Sequence, residues 1–131
     1  MGRTRAVGTR KTILIVDDSE FVRSYHSHIL EQAQFRVITA VDGSDGLEKL
    51  YTNACDMVLT DINMSNMDGY EFIRRVRADG KYGALPIIIV STESEGNDKR
   101  KGFEAGANLY IVKPCSPEMM VENIRMILVA N

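Results

Sequence analysis

Residues 57–69 read MVLTDINMSNMDG. An apolar run, Met57-Val58-Leu59-Thr60, stops at a single carboxylate, Asp61, and passes into a polar loop holding Asn63, Ser65, Asn66, Asp68 and Gly69. Four apolar or β-prone residues in succession, without a helical period, read as a strand buried on both faces, as in a parallel sheet. The turn-type residues close it. Asp61 then stands at the carboxyl end of a central strand, the edge where open α/β sheets place their chemistry.

Runs of the same kind flank this one. Thr12–Val16 (TILIV) ends in Asp17-Asp18, and 35–40 ends near the turn Asp42-Gly43. Ile87-Ile88-Ile89-Val90 follows Pro86 and ends at Ser91-Thr92, and 108–112 ends at Lys113-Pro114. Helical patterns lie between them. Ser19 can cap a helix from Glu20, with Phe21, Val22, Tyr25, Ile29 and Leu30 expected on one buried face. A second helix carries Leu47, Leu50 and Tyr51. The third, 70–78, should turn Phe72, Ile73 and Val76 inward and leave Arg74, Arg75 and Arg77 as a solvated face. A polar helix runs to about Ala105, with Gly106 as a left-handed cap. Ser116-Pro117 opens the last helix, which should pack through Met120, Ile124, Ile127 and Leu128. Five strands alternating with five helices require an α/β fold: a doubly wound five-stranded parallel sheet with right-handed crossovers and helices on both faces.

The 131 residues are enough for one domain with a real core. The pattern divides the chain into a flexible basic leader, 1–11, and a single domain, 12–131. Four of the 16 basic residues (Arg3, Arg5, Arg10, Lys11) and none of the 18 acidic ones lie in the leader, so the domain proper is acidic. That balance argues against direct nucleic-acid binding, and no apolar run reaches membrane-spanning length. Cys55 and Cys115 match no metal or redox spacing, and a reducing, cytoplasmic setting is the plain expectation.

In a parallel sheet every strand's carboxyl end lies on one edge. This chain brings there Asp17 and Asp18, Asp61, Ser91 and Thr92, and Lys113. Three carboxylates in one cleft repel unless something positive intervenes, and oxygen-only ligands suit a hard ion such as Mg²⁺. Lys113 adds a fixed positive charge and Ser91 a hydroxyl. Nucleophile, metal, cation and hydroxyl are the parts needed to accept a phosphoryl group on a carboxylate.

With VDDS at 16–19, LTDINMSNMDG at 59–69, VST at 90–92, GAN-LY at 106–110 and KP at 113–114, the chain resembles the CheY-like receiver domain of two-component response regulators over 11–129. That resemblance implies a flavodoxin-like sheet of order 2-1-3-4-5. It implies Asp61 as the acceptor of phosphate from a histidine kinase or histidine phosphotransferase. It implies Asp17 and Asp18 as holders of Mg²⁺, Asp18 directly, with the backbone carbonyl of Asn63 on the same ion and Lys113 on the phosphoryl oxygens. The Lys113–Pro114 bond is expected cis. Ser91 is expected to move toward the phosphate and Tyr110 to turn inward behind it. Asn63 and Glu93 fall at the two positions that tune spontaneous dephosphorylation. An output partner, not named by the sequence, is expected on the face of the fourth helix, fifth strand and fifth helix. No enzymatic turnover beyond self-catalysed phosphorylation and dephosphorylation is implied.

The chain departs from the family pattern in three places. Ser65 replaces a usual proline, which predicts a less rigid loop. Cys115 replaces a large apolar residue. The fourth helix, with its Lys99-Arg100-Lys101 cluster, is unusually polar and is expected to be the least stable. His26 and His28, two apart on a helix, point to different faces and read as surface residues rather than a metal pair. A haloacid-dehalogenase-like phosphatase would carry its nucleophile in a D-x-D motif after the first strand, where this chain reads VDDSE. A flavin-binding module would need a glycine-rich first loop, where this chain reads DDSEFV. A receiver belonging to a larger response regulator or hybrid kinase fits the same residues.

Overall fold

Thr12–Val16 (β1) is buried at every position, as a strand with neighbours on both edges and helices on both faces must be. The computed structural model describes residues 10–130. Of the expected basic leader, residues 1–9 lie outside the described residues, and Arg10 and Lys11 are exposed. The chain then alternates without exception: α1 (Glu20–Gln32), β2 (Arg36–Ala40), α2 (Gly43–Thr52), β3 (Met57–Thr60), α3 (Gly69–Ala78), a 3₁₀ turn at Gly80–Tyr82, β4 (Ile87–Ser91), α4 (Gly96–Ala105), β5 (Leu109–Val112) and α5 (Pro117–Ala130). The strands form one parallel sheet of order β2-β1-β3-β4-β5, the expected flavodoxin-like arrangement.

Alternation along each strand divides the apolar residues between two cores. Leu14, Val16, Val58, Ile87 and Ile89 meet Leu50, Phe72, Ile73 and Val76 from α2 and α3 on one face. On the other face, Ile13, Ile15, Met57, Leu59, Ile88 and Val90 meet Ile29, Leu30, Met120 and Ile124 from α1 and α5. Large side chains on both faces, among them Phe72, Leu14, Leu30, Met57, Ile73 and Ile124, are less than 2% exposed, which gives the sheet a stiff centre.

Register fixes what stands at the functional edge. Val16 pairs with Thr60, so Asp17 and Asp61 leave their strands side by side. Ser91 pairs with Val112, which brings Lys113 to the same edge. The helices that follow are capped from the same loops. Ser19 Oγ accepts the Val22 N–H, Asp42 accepts from Asp45, and Asp68 accepts from Glu71. α4 differs, because Glu95 at its N-cap makes no side-chain hydrogen bond. Gly106 ends α4 with φ +122°, as expected of a cap glycine.

Three expectations need correction. α1 does not bury Phe21 and Tyr25, which are 78% and 45% exposed and stack on one another at 6.3 Å. The helix lies on the sheet through Val22, His26, Ile29 and Leu30, a stripe about 100° around from Phe21. His26 is therefore buried rather than superficial, while His28 is exposed. Arg77 is not part of a solvated face. Its guanidinium donates to the carbonyls of Gly106, Tyr82 and Leu85 at 3.0, 2.9 and 2.7 Å and to Asn108 Oδ1 at 2.9 Å. Asn108 Oδ1 also accepts the Ile87 N–H at 2.8 Å, so one arginine ties the end of α3 to the start of β4 and the α4–β5 turn. Among the described residues, no helix is long and apolar enough to cross a membrane.

Candidate functional site

Asp17 follows a fully buried strand and is itself only 3% exposed. Its Oδ1 accepts the Ser19 N–H at 2.9 Å, and its carbonyl accepts from Arg23 Nη1 at 2.7 Å, so the β1–α1 turn holds it from both ends. Burial pushes its carboxyl above the usual range, against the Ser19 amide and Lys113, which act the other way. Asp18, next in the chain, is exposed, and Asp61 is half-buried. Carboxylate oxygens of Asp17, Asp18 and Asp61 lie within 4.8 Å of one another.

Lys113 lies within this acidic group. Its Nζ stands 3.3 Å from Asp17 Oδ2 and 3.3 Å from Asp61 Oδ2, with both carboxylates largely shielded from solvent. Desolvation offsets much of the attraction in a buried pair of this kind, so its net contribution to stability is small. Asp61 Oδ1 accepts its neighbour's amide, Ile62 N–H, at 2.7 Å, which fixes the carboxylate's rotation. The loop beyond is pinned close behind it. Gly69 N–H donates to the Ile62 carbonyl at 2.8 Å, and a Cβ on Gly69 would lie 2.1 Å from the Asp61 carbonyl oxygen. Only glycine allows that approach.

Ser91 is fully buried at the end of β4, its Oγ accepting the Glu93 N–H at 3.1 Å and its carbonyl accepting Lys113 N–H at 2.7 Å. Tyr110 is half-buried, and its hydroxyl donates to the Glu93 carbonyl at 2.8 Å. Burial raises the Tyr110 phenol, while a hydrogen bond with Ser91 opposes the rise. Asn63 Nδ2 donates to Glu93 Oε1 at 2.9 Å across the mouth of the cleft. The Lys113–Pro114 bond is cis. Cys115, just beyond, is half-buried, and burial raises its thiol, so it is poorly suited to act as a thiolate.

All the sequence-selected residues therefore lie in or beside one cleft: Asp17, Asp18, Asp61, Asn63, Ser91, Glu93, Tyr110 and Lys113. Sequence reading missed Arg23, whose tie to the Asp17 carbonyl carries no local signature. A cleft of carboxylate oxygens and a lysine is chemically suited to a hard divalent cation and a phosphoryl group.

The family model described as the response regulator receiver domain matches residues 13–125. The chain is similar to the chemotaxis protein CheY1 of Helicobacter pylori strain J99, at 36% identity over 91% of this chain and 98% of that protein. It is also similar to the gliding motility regulatory protein of Myxococcus xanthus, at 35% identity over 79% of this chain but only 13% of that much longer protein. Among solved structures, the chemotaxis protein CheY4 of Vibrio cholerae superposes with a TM-score of 0.87 at 34% identity, covering 91% of this chain and 99% of that one.

Proposed function

Because this chain belongs to the response regulator receiver domain family, we propose that it is a phosphorylation-dependent switch with Asp61 as the phosphoacceptor. The observation that carries the proposal is the position of the Lys113 ammonium, 3.3 Å from both Asp17 and Asp61 in a three-carboxylate cleft. A cation so placed can leave Asp61 for the oxygens of an incoming phosphoryl group without crossing solvent.

In this reading, a carboxylate oxygen of Asp61 attacks the phosphorus of a phosphohistidine on a sensor kinase or histidine phosphotransferase. The P–N bond breaks as the P–O bond forms, and the imidazole leaves with its electron pair. Lys113 donates to the phosphoryl oxygens, and the buried Asp17 keeps that lysine at the edge of the sheet. Asp18, Asp61 and the Asn63 carbonyl, with Asp17 behind them, are the oxygen donors that would hold Mg²⁺, which when bound supplies positive charge against the phosphoryl oxygens. The donor group contributes only phosphate, so the protein catalyses its own modification rather than turning over a substrate.

The signal then passes along β4 and β5. The Ser91 hydroxyl exchanges the Glu93 amide for a phosphoryl oxygen, and Tyr110 gives up the Glu93 carbonyl and moves into the space left. This biases the α4–β5–α5 face toward an output partner. Asn63 and Glu93, hydrogen-bonded to each other over the cleft, control how water reaches the aspartyl phosphate. A cytoplasmic setting belongs to the same proposal. A second reading, in which this domain serves within a larger regulator, draws on the match to a small part of the Myxococcus protein.

The test is beryllofluoride with Mg²⁺, followed by amide NMR on the unaltered protein and Asp61→Asn. The expected result is a shift set centred on Asp61, Ser91, Tyr110 and α4 that the variant lacks. Identical responses in the two proteins would refute the assignment.

A further inference from the structure

Asp42 sits far from the acidic cleft in sequence and carries a charge with only 8% of its surface exposed. Both of its oxygens are used. Oδ1 accepts the Asp45 N–H at 2.8 Å and caps α2. Oδ2 accepts from Asn66 Nδ2 at 2.8 Å, across 24 residues, in the loop that follows the phosphoacceptor. Those hydrogen bonds hold the Asp42 carboxyl below its usual range, so the group is charged at neutral pH.

The partner residue occupies an unusual backbone position. Asn66 has φ +69°, and across it the Met67 N–H donates to the Ser65 carbonyl at 2.7 Å. A three-residue turn with positive φ at its centre is rare and strained, and it persists only where its surroundings over-determine it. Asparagine tolerates the left-handed region best among residues with a side chain, and here that side chain is tied to Asp42. The start of α2 presses on the same turn, since a Cβ on Gly43 would lie 2.9 Å from Met67 Cγ and 3.0 Å from the Met67 carbonyl oxygen. At its far end the loop is clamped by Gly69 against Ile62. Asn63, whose carbonyl the proposed site uses, lies between these two anchors. A loop lacking the usual proline at position 65 is thus held by a hydrogen bond instead.

We propose that Asp42 and Asn66 form a positioning pair that sets the Asn63 carbonyl and Asp61 at the spacing a divalent cation needs, with one carboxylate linking the N-terminus of α2 to the phosphoacceptor loop. The inference rests on the proposed function, because it assigns those oxygens to the ion.

The experiment titrates Mg²⁺ into the full chain and follows the Ile62 and Asn63 amides by NMR. Four variants, two single and two double, separate positioning from folding. Asn66→Gly removes the amide yet suits positive φ, and Asp42→Ser keeps a cap on α2 but loses the second oxygen. The exchange Asp42→Asn with Asn66→Asp rebuilds the bond with donor and acceptor reversed. Each single change should weaken Mg²⁺ binding by about tenfold, as supporting partners of metal ligands generally do. Asp42→Ser with Asn66→Gly together should cost no more than either alone, and the exchange should recover most of the affinity. Affinities within about twofold of the unaltered protein in both single variants, with only the thermal midpoint lowered, would overturn the pair as a merely structural contact. Failure of the exchange to recover affinity would overturn it too. An unaltered protein that does not respond to Mg²⁺ would instead overturn the metal site, and the pair with it.

Discussion

His26 shows how far a single residue can depart from its sequence reading. Burial, with the Lys113 ammonium acting in the same sense and Asp61 against it, pushes its imidazole down to about 4. The folded protein then binds fewer protons at this site than the unfolded chain between pH 4 and 6.5. Stability from neutral His26 is therefore complete above about pH 6.5 and is lost as pH falls toward 4. Replacing it by leucine removes this dependence. Between pH 7 and 5 the unaltered protein should lose about 2 kcal/mol more than His26→Leu, read from urea unfolding at each pH; other titrating groups, Asp17 included, cancel in the difference. Parallel curves for the two proteins would show that the imidazole is not desolvated. The burial of His26, the exposure of Phe21 and the anchoring of Arg77 were illegible for one reason. Each depends on how a helix is rotated on the sheet, or on carbonyls from distant turns, and neither leaves a local pattern. By contrast, Asp17, Asp61, Ser91 and Lys113 were legible because each directly follows a run of apolar residues, and strand ends in a parallel sheet converge by geometry.

Among the elements, α4 stands apart. α1, α2 and α3 each begin with a side chain that accepts a first-turn amide, whereas Glu95 leaves the first turn of α4 without one. Its only buried residues are Gly102 and Ala105, which contribute almost no apolar surface. The polar composition could be read directly from residues 95–102, but the missing cap could not, since a Glu there is compatible with either start. α4 amides should exchange with deuterium fastest of the five helices. Glu95→Ser should slow that exchange and add about 1 kcal/mol to global or local stability by supplying the absent cap. Exchange in α4 as slow as in α3 would contradict this ordering. α4 also approaches Tyr110 through Gly102, so in the proposed switch it is the element expected to be rebiased by a change at the cleft.

At the scale of the molecule, the alternation of strand and helix made the fold legible, and the order β2-β1-β3-β4-β5 followed from the family resemblance rather than from periodicity. The sheet brings residues 17, 61 and 113 together although they are 96 positions apart at the extremes, with Lys113 bridging two carboxylates. What the sequence could not supply is the system of ties at the two edges of the sheet, Arg77 at the amino edge and Asp42 with Asn66 near the cleft. Arg77 fixes the α4–β5 turn, and Asp42 with Asn66 fixes the acceptor loop, each joining segments that have no common motif. The central claim, that this architecture delivers a phosphoryl group to Asp61, is tested most directly by intact-protein mass after exposure to acetyl phosphate, with and without Mg²⁺. The unaltered protein should gain the mass of one phosphoryl group only when Mg²⁺ is present, and Asp61→Asn should gain none. An unmodified wild type, or equal modification of the variant, would contradict the account.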